Sequence, residues 1–202
     1  MKVVVVDTEC ANLTSVCFAL ERLGYVPTVT DKAELIRAAD RVILPGVGTA
    51  RAAMRNIQRK QLVETLQQLT QPVLGICLGM QLLTESSSEG DVDCLGVIPT
   101  QTRRLQADGL PLPHMGWNQL QQRTDTPLLK GLDAAAYCYF VHSFAVPVDS
   151  YTIASSHYGE DFAAMIQHQN FYGAQFHPER SGSVGATILK NFLESEYVDT
   201  RA

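Results

Sequence analysis

The sequence predicts an α/β fold: an open, mostly parallel sheet with helices on both faces and added antiparallel strands. Three observations carry this expectation. Short, continuous apolar runs rich in β-branched residues recur at residues 3–6, 42–44 and 73–76, the composition of strands buried on both faces. Between them lie amphipathic stretches with helical spacing, and strand–helix alternation implies right-handed crossovers between parallel strands. From about residue 94 to 176 the pattern changes to short alternating segments separated by Gly, Pro and Asp, which suggests antiparallel strands joining the same sheet.

Taken in order, residues 3–6 are four valines ending at Asp7, the first strand. Leu13, Val16, Cys17, Leu20 and Leu23 form a helical stripe that Gly24 stops. Residues 26–30 read as a short strand, and Asp31 as the cap of a helix containing Leu35 and Ile36. Val42, Ile43 and Leu44 form a third strand, ended by Pro45-Gly46, and residues 49–69 read as helix in two pieces. Residues 73–76 form a fourth strand, with helix from Met80 to Glu85. Among the later segments, residues 137–141 and 163–167 read as strands, and residues 184–194 as a closing helix carrying Val184, Ile188, Leu189, Phe192 and Leu193. The last eight or so residues are polar and are expected to fray. The layout corresponds to a flavodoxin-like sheet.

Composition narrows the function. The 202 residues suit one domain, 1–202, with 46% hydrophobic and 18% charged residues. A net charge of −5 without a basic run argues against a nucleic-acid groove. No apolar stretch approaches the roughly 20 residues that span a bilayer. The five cysteines, Cys10, Cys17, Cys77, Cys94 and Cys138, are odd in number and contain no Cys-x-x-Cys pair. Neither a disulfide framework nor a metal site is expected, and a reducing, cytoplasmic setting fits.

One cysteine stands apart. Gly75-Ile76-Cys77-Leu78-Gly79 joins a strand to a helix, the pattern of a nucleophile elbow with Cys in place of Ser. The turn lifts the thiol into the crevice at the strand end, the positive helix end favours a thiolate, and the amide of Leu78 points at a developing oxyanion. The motif alone is also compatible with a buried structural cysteine; the other four cysteines lack the setting. His177-Pro178-Glu179 ends an extended segment. Pro178 biases His177 toward extended backbone, and residues two apart then share a face, so Glu179 is placed to orient the imidazole. By itself the segment also suits a surface loop. Of the other histidines, His114, His142, His157 and His168, none has a carboxylate at this spacing, though His157 precedes Glu160 by three. Leu44-Pro45-Gly46-Val47-Gly48 follows the third strand. Its two glycines let the amides around Gly46 and Val47 turn inward as a second oxyanion donor, or simply end the strand.

Together these motifs resemble the triad-type (class I) glutamine amidotransferases, specifically the glutaminase subunits of imidazole glycerol phosphate synthases. The resemblance covers nearly the whole chain. It rests also on Pro113-His114-Met115-Gly116-Trp117-Asn118, Tyr139-Phe140-Val141-His142-Ser143 and Gln175-Phe176-His177-Pro178-Glu179-Arg180-Ser181. It implies a catalytic triad of Cys77, His177 and Glu179, with glutamine held by Gly48, Gln81, Glu89 and the backbone of Ser143 and Phe144. It implies no cofactor. It further implies a heterodimer with a (β/α)8 cyclase of histidine biosynthesis that receives the ammonia through a tunnel. The family usually reads Asp, Tyr, Gly, any residue, Gly, Asn near the N-terminus; here the stretch is Asp7-Thr8-Glu9-Cys10-Ala11-Asn12, which puts the partner contact near Asn12 in question. A glutaminase serving another synthase, and a flavodoxin-like regulatory module without activity, are the rival readings. The Pro-Gly-Val-Gly segment and Trp117 argue against the first, and the complete triad against the second.

Overall fold

The computed structural model describes residues 1–9 and 11–196; the expectations for Cys10 and for the chain end beyond residue 196 lie outside the described residues. The N-terminal half alternates as expected: β1 Val3–Val6, α1 Leu13–Arg22, β2 Thr28–Thr30, α2 Ala33–Arg37, β3 Arg41–Gly46, α3 Ala50–Arg59, α4 Val63–Gln67, β4 Val73–Cys77 and α5 Leu78–Leu82. The valines of β1 divide between two cores: Val3 and Val5 pack on one face of the sheet, Val4 and Val6 on the other. That alternation is why a run of four apolar residues makes a central strand rather than a half-exposed one. Each such side chain removed from water contributes about 1.5–3 kcal/mol.

Local chemistry sets the helix ends. Asn12 caps α1, its Oδ1 accepting from the Ser15 amide at 3.4 Å, and Thr49 caps α3, accepting from Ala52 at 3.3 Å. The cap expected of Asp31 is not made. Lys32 occupies the N-cap of α2 without a side-chain bond, and Asp31 accepts from Lys60 Nζ at 2.8 Å instead: ion pairing to a neighbouring helix has displaced the local cap. The helix expected to run to Glu85 stops at Leu82. The Thr84 hydroxyl donates to the Gln81 carbonyl at 2.7 Å, a side-chain bond that competes with the helical ladder, and the chain continues as β5 Thr84–Ser87.

The remaining strands are β6 Val92–Asp93, β7 Ile98–Arg104, β8 His114–Gln119, β9 Gln121–Gln122, β10 Tyr137–His142, β11 Phe144–Ala145, β12 Thr152–Tyr158, β13 Glu160–His168 and β14 Phe171–Ala174, followed by a 3₁₀ turn at Pro178–Arg180 and α6 Gly182–Glu194. The main sheet has the order β2-β1-β3-β4-β14-β13-β12-β9. Neighbours from β2 to β14 are parallel, and from β14 to β9 antiparallel. The expected antiparallel extension is therefore present, but residues 137–141 are not part of it. β10 pairs with β8 in a separate two-stranded ribbon. In it Cys138, Phe140 and His142 are buried while Tyr137, Tyr139 and Val141 are exposed or half-buried, so one face of the ribbon lies on the core. A third sheet runs β11-β7-β5-β6. Among the described residues no helix is long and apolar enough to cross a membrane.

Three neighbouring parallel strands, β3, β4 and β14, end together. Gly46 pairs with Cys77 across β3 and β4, Ala174 pairs with Ile76 across β14 and β4, and His177 follows three residues later. The carboxyl edge of an open α/β sheet is where such folds bind ligands.

Candidate active site

Cys77 ends β4 with φ 54° and ψ −113°, a left-handed conformation that costs a non-glycine residue about 1–3 kcal/mol. The surrounding glycines hold it there. A Cβ on Gly79 would stand 1.8 Å from the Leu44 carbonyl oxygen, and one on Gly75 2.6 Å from that of Gly79. A Cβ on Gly46 would stand 2.9 Å from the Gly79 amide. The elbow is thus pressed against β3 by backbone-to-backbone packing that only glycine permits. The Cys77 Sγ is within 3.8 Å of the Val141 carbonyl and 4.0 Å of Gln175 Nε2.

His177 has φ −97° and ψ 95°, extended as Pro178 dictates. Its amide donates to the Tyr139 carbonyl at 2.9 Å, and its own carbonyl accepts from the Ser181 hydroxyl at 2.7 Å, which in turn accepts from the Tyr139 amide at 3.0 Å. Nδ1 lies 2.8 Å from Glu179 Oε1. The expected pairing is made, but not by an extended chain: residues 178–180 curl into the 3₁₀ turn, which brings the carboxylate back under the ring. Both side chains are largely buried, 12% and 2% exposed. Burial works against the imidazolium, but hydrogen bonds to Cys77 and Glu179, together with the attraction of their negative charges, outweigh it and raise His177 to about 10.

A cavity of about 280 Å³ opens beside these groups. Nine of the expected site residues line it: Cys77, Leu78, His177, Val47, Gly48, Gln81, Glu89, Ser143 and Phe144. Two expected residues do not reach it. Gly46 and Glu179 line a small crevice on the far side of the His177 ring, with Asn12, Val16 and Ile76. Glu179 therefore stands behind the imidazole, where an orienting group belongs, and Gly46 turns its α-carbon toward the elbow. Gly48 has φ +93° with nothing within 4 Å of where a Cβ would stand.

The polar groups at the rim are partly committed. Gln81 Nε2 donates to the Phe144 carbonyl at 2.9 Å and to Gln175 Oε1 at 3.0 Å, which leaves its Oε1 as an acceptor. Glu89 Oε2 accepts from the Ala50 amide at 2.9 Å, the first of α3. Pro113, Val141 and His142 also line the cavity, and Gln175 reaches Cys77 from behind; none of the four was singled out from the sequence for the site, although all fall in the quoted motifs or beside one. His157 pairs with Asp161 at 2.7 Å rather than Glu160, and is exposed. Cys94 and Cys138 are buried, and burial pushes both thiols up to about 12; Cys17 is shifted upward by burial too. None of the three has a nucleophile's setting. Among the described residues no group of three or more His, Cys, Asp or Glu side chains is placed to hold a metal ion.

In the N-terminal turn a non-glycine residue stands where the resembling family usually has glycine. Glu9 has φ 58°, its amide donates to Asp7 Oδ1 at 2.9 Å, and its carboxylate pairs with Arg59 at 2.5 Å and Lys60 at 3.1 Å. Hydrogen bonds from Lys60 and Arg59 lower its pKa.

Comparison with known proteins agrees with this geometry. The family model for class-I glutamine amidotransferases matches residues 4–195. An imidazole glycerol phosphate synthase subunit HisH from Idiomarina loihiensis is 73% identical over 194 residues, covering 96% of this chain and 98% of that protein. Its counterpart from Haemophilus influenzae is 55% identical, covering 96% and 98%. Among solved structures, PurLQS from Thermotoga maritima superposes with a TM-score of 0.71 at 20% identity, covering 95% and 97%, and a glutamine amidotransferase with 0.72 at 17%, also covering 95% and 97%; these two speak to the fold alone. The chain belongs to the class-I glutamine amidotransferase family and, within it, to the HisH subunits of imidazole glycerol phosphate synthase.

Proposed function

We propose that Cys77, His177 and Glu179 carry out glutamine hydrolysis for this family's synthase, in one domain spanning residues 1–202. The observation that carries the assignment is the junction of β3, β4 and β14, where a strained cysteine, a carboxylate-backed histidine and a glycine-bearing strand end border one cavity. The Cys77 thiolate attacks the side-chain carboxamide carbon of glutamine. The oxyanion is met by the Leu78 amide and by an amide of the Gly46-Val47-Gly48 strand. As the C–N bond breaks, the His177 imidazolium gives its proton to the departing nitrogen, and ammonia leaves. His177 then takes a proton from water, which attacks the thioester, and glutamate and the thiolate are regenerated. Glu179 keeps the ring oriented throughout.

Glutamine is held between Gly48 and the wall formed by Gln81, Glu89, Ser143 and Phe144. Gln81 Oε1 and the Glu89 carboxylate suit the substrate's ammonium group. The Phe144 carbonyl does not, since both its lone pairs are in use. Ammonia passes to a (β/α)8 cyclase bound as a heterodimer in the cytoplasm, through a tunnel that shields it from water. A docking face is available: Met115 and Trp117 are 62% and 57% exposed on β8. Trp117 lies across the ribbon from Tyr139, whose backbone anchors His177 and Ser181.

The test is labelling with the glutamine analogue 6-diazo-5-oxo-L-norleucine in the presence of cyclase. Peptide mapping is expected to find the label on Cys77 alone; label elsewhere, or glutamine turnover surviving Cys77→Ala, would overturn the assignment.

A further inference from the structure

Behind the cavity wall lies a polar chain that the catalytic scheme does not use. The Phe144 carbonyl accepts from Gln81 and also from His142 Nδ1 at 2.9 Å. His142 Nε2 lies 3.0 Å from His114 Nδ1, and His114 Nε2 lies 3.3 Å from Asn118 Nδ2. The partners leave one set of tautomers. A carbonyl only accepts, so His142 carries its proton on Nδ1. Its Nε2 is then an acceptor, so His114 also carries its proton on Nδ1. The Asn118 amide donates to the last ring nitrogen and to the His157 carbonyl at 2.8 Å. Every link points the same way, from Asn118 on β8 to Phe144 at the rim.

The environment enforces neutral rings. His114 and His142 are 3% and 5% exposed. The His114 ring is stacked against Phe140 at 5.1 Å and Tyr158 at 4.2 Å, each inclined to it by 24°, and Phe162 packs edge-on. Burial lowers His114 to about 4 and, with repulsion from His114 and His177, lowers His142 to about 3. A proton added to either ring would turn an acceptor into a second donor and break the chain.

We infer that His142 and His114 are positioning residues of the glutamine pocket, two neutral imidazoles hydrogen-bonded head to tail that hold the Phe144 carbonyl and, through it, Gln81 and the backbone at Ser143. Gln81 is shared: its amide spans Phe144 and Gln175, and Gln175 reaches Cys77. The imidazole pair thus joins the wall that recognises glutamine to the strand ends that carry the nucleophile. The inference rests on the glutaminase reading above.

The experiment uses the full chain with its cyclase and the cyclase's nucleotide ligand. Glutamine hydrolysis is measured for wild type, His142→Leu, His142→Asn and His114→Phe, together with alkylation of Cys77 by iodoacetamide, which needs no pocket for an amino acid. His142→Leu leaves a carbonyl lone pair unmet, and KM for glutamine is expected to rise about tenfold to a hundredfold with a smaller fall in kcat and unchanged alkylation. Asparagine keeps a donor where Nδ1 stood, so His142→Asn is expected to recover most of the loss, and His114→Phe to fall between. An unchanged KM in folded His142→Leu overturns the inference. So does a rise in KM matched by equal losses of kcat and alkylation that asparagine does not rescue, which is what a merely structural role would give. Should His142→Leu not fold, nitrogen-15 spectra of the wild-type rings decide: both neutral with Nδ1 protonated at pH 7 supports the chain, and an Nε2-protonated or charged His142 overturns it. A wild-type complex that does not hydrolyse glutamine would instead refute the glutaminase reading.

Discussion

Glycine serves opposite purposes on the two sides of the catalytic cavity. At the elbow, Gly75, Gly79 and Gly46 are required because other backbone atoms occupy the space of a side chain, down to 1.8 Å at Gly79. At the strand end, Gly48 is surrounded by open space and is required only for its positive φ. Neighbouring Val47 is 40% exposed, whereas Leu78 is buried. The elbow is a locked structure that presents thiol and amide in one geometry. Val47 and Gly48 stand clear of such packing, and we propose that their amides can reorient. In the proposed mechanism a second oxyanion donor on this strand is present in one orientation and absent in another, and a partner that binds one orientation more tightly sets which.

The largest effects are expected from breaking the locked side. Gly79→Ala places a methyl group inside the Leu44 carbonyl and is expected to prevent folding, checked by soluble yield and circular dichroism. Cys77→Ala is expected to fold, to lose glutamine hydrolysis entirely, and to retain synthesis by the complex from added ammonia, because in the proposed mechanism the triad makes ammonia but does not use it. His177→Ala is expected to fall nearly as far, since triad members act as a unit. Glu179→Gln is expected to fall less, because the carboxylate orients the ring from behind and touches no reacting atom. Steady-state kinetics with cyclase present rank the three; a Glu179→Gln loss equal to that of Cys77→Ala would give Glu179 a larger role.

On the free side the effects are smaller. Gly48→Ala meets no steric obstacle and is expected to fold, losing about 1–2 kcal/mol from its left-handed backbone. The same strain bears on the strand's orientation, and turnover is expected to fall about tenfold while iodoacetamide still alkylates Cys77. Non-folding of this variant would abolish the contrast with Gly79. Gly46→Val does not report on strand freedom, because its side chain would strike the elbow first.

The pH dependence of stability separates the buried histidines. His114 and His142 are lowered to about 4 and 3, so their neutral forms stabilise the fold fully above the unfolded value near 6.5, and that stability is lost as pH falls from 6.5 through 4. His177 is raised to about 10; its contribution is complete below 6.5 and is lost as pH rises through 10. Denaturant titrations from pH 4 to 7 are expected to show stability falling steeply on the acid side, and less steeply in His114→Phe. The smallest effect is expected at Glu9. Its carboxylate lies at the surface, where solvent and salt weaken its pairs with Arg59 and Lys60, so Glu9→Ala is expected to shift the melting temperature only slightly.

Much of the site could be read from the chain because its chemistry is local. The elbow needs glycines at fixed offsets from Cys77, and His177 and Glu179 lie two residues apart, so each motif is complete within a few positions. The groups that were not legible are those assembled across sheets. Gln175 meets Gln81 and Cys77 only because β14 lies beside β4. His142 meets His114 only because β10 pairs with β8 in a ribbon of its own, and the short segments around residue 140 carry no mark that tells a ribbon from a sheet edge. The failed Asp31 cap has the same origin, a distant lysine outcompeting a local amide. Even the correct pairing of His177 with Glu179 is made by a 3₁₀ turn, where an extended chain was expected.

The most direct test of the contrast between a locked elbow and a free strand is glutamine hydrolysis by the purified chain at saturating glutamine, alone and then with cyclase and the cyclase's nucleotide ligand. An oxyanion site lacking one donor is slower by about 10²–10³, so the chain alone is expected to be nearly silent, with turnover rising by that order when both partner and ligand are present. Full turnover by the chain alone would show that the oxyanion site is permanently formed, and would contradict the account.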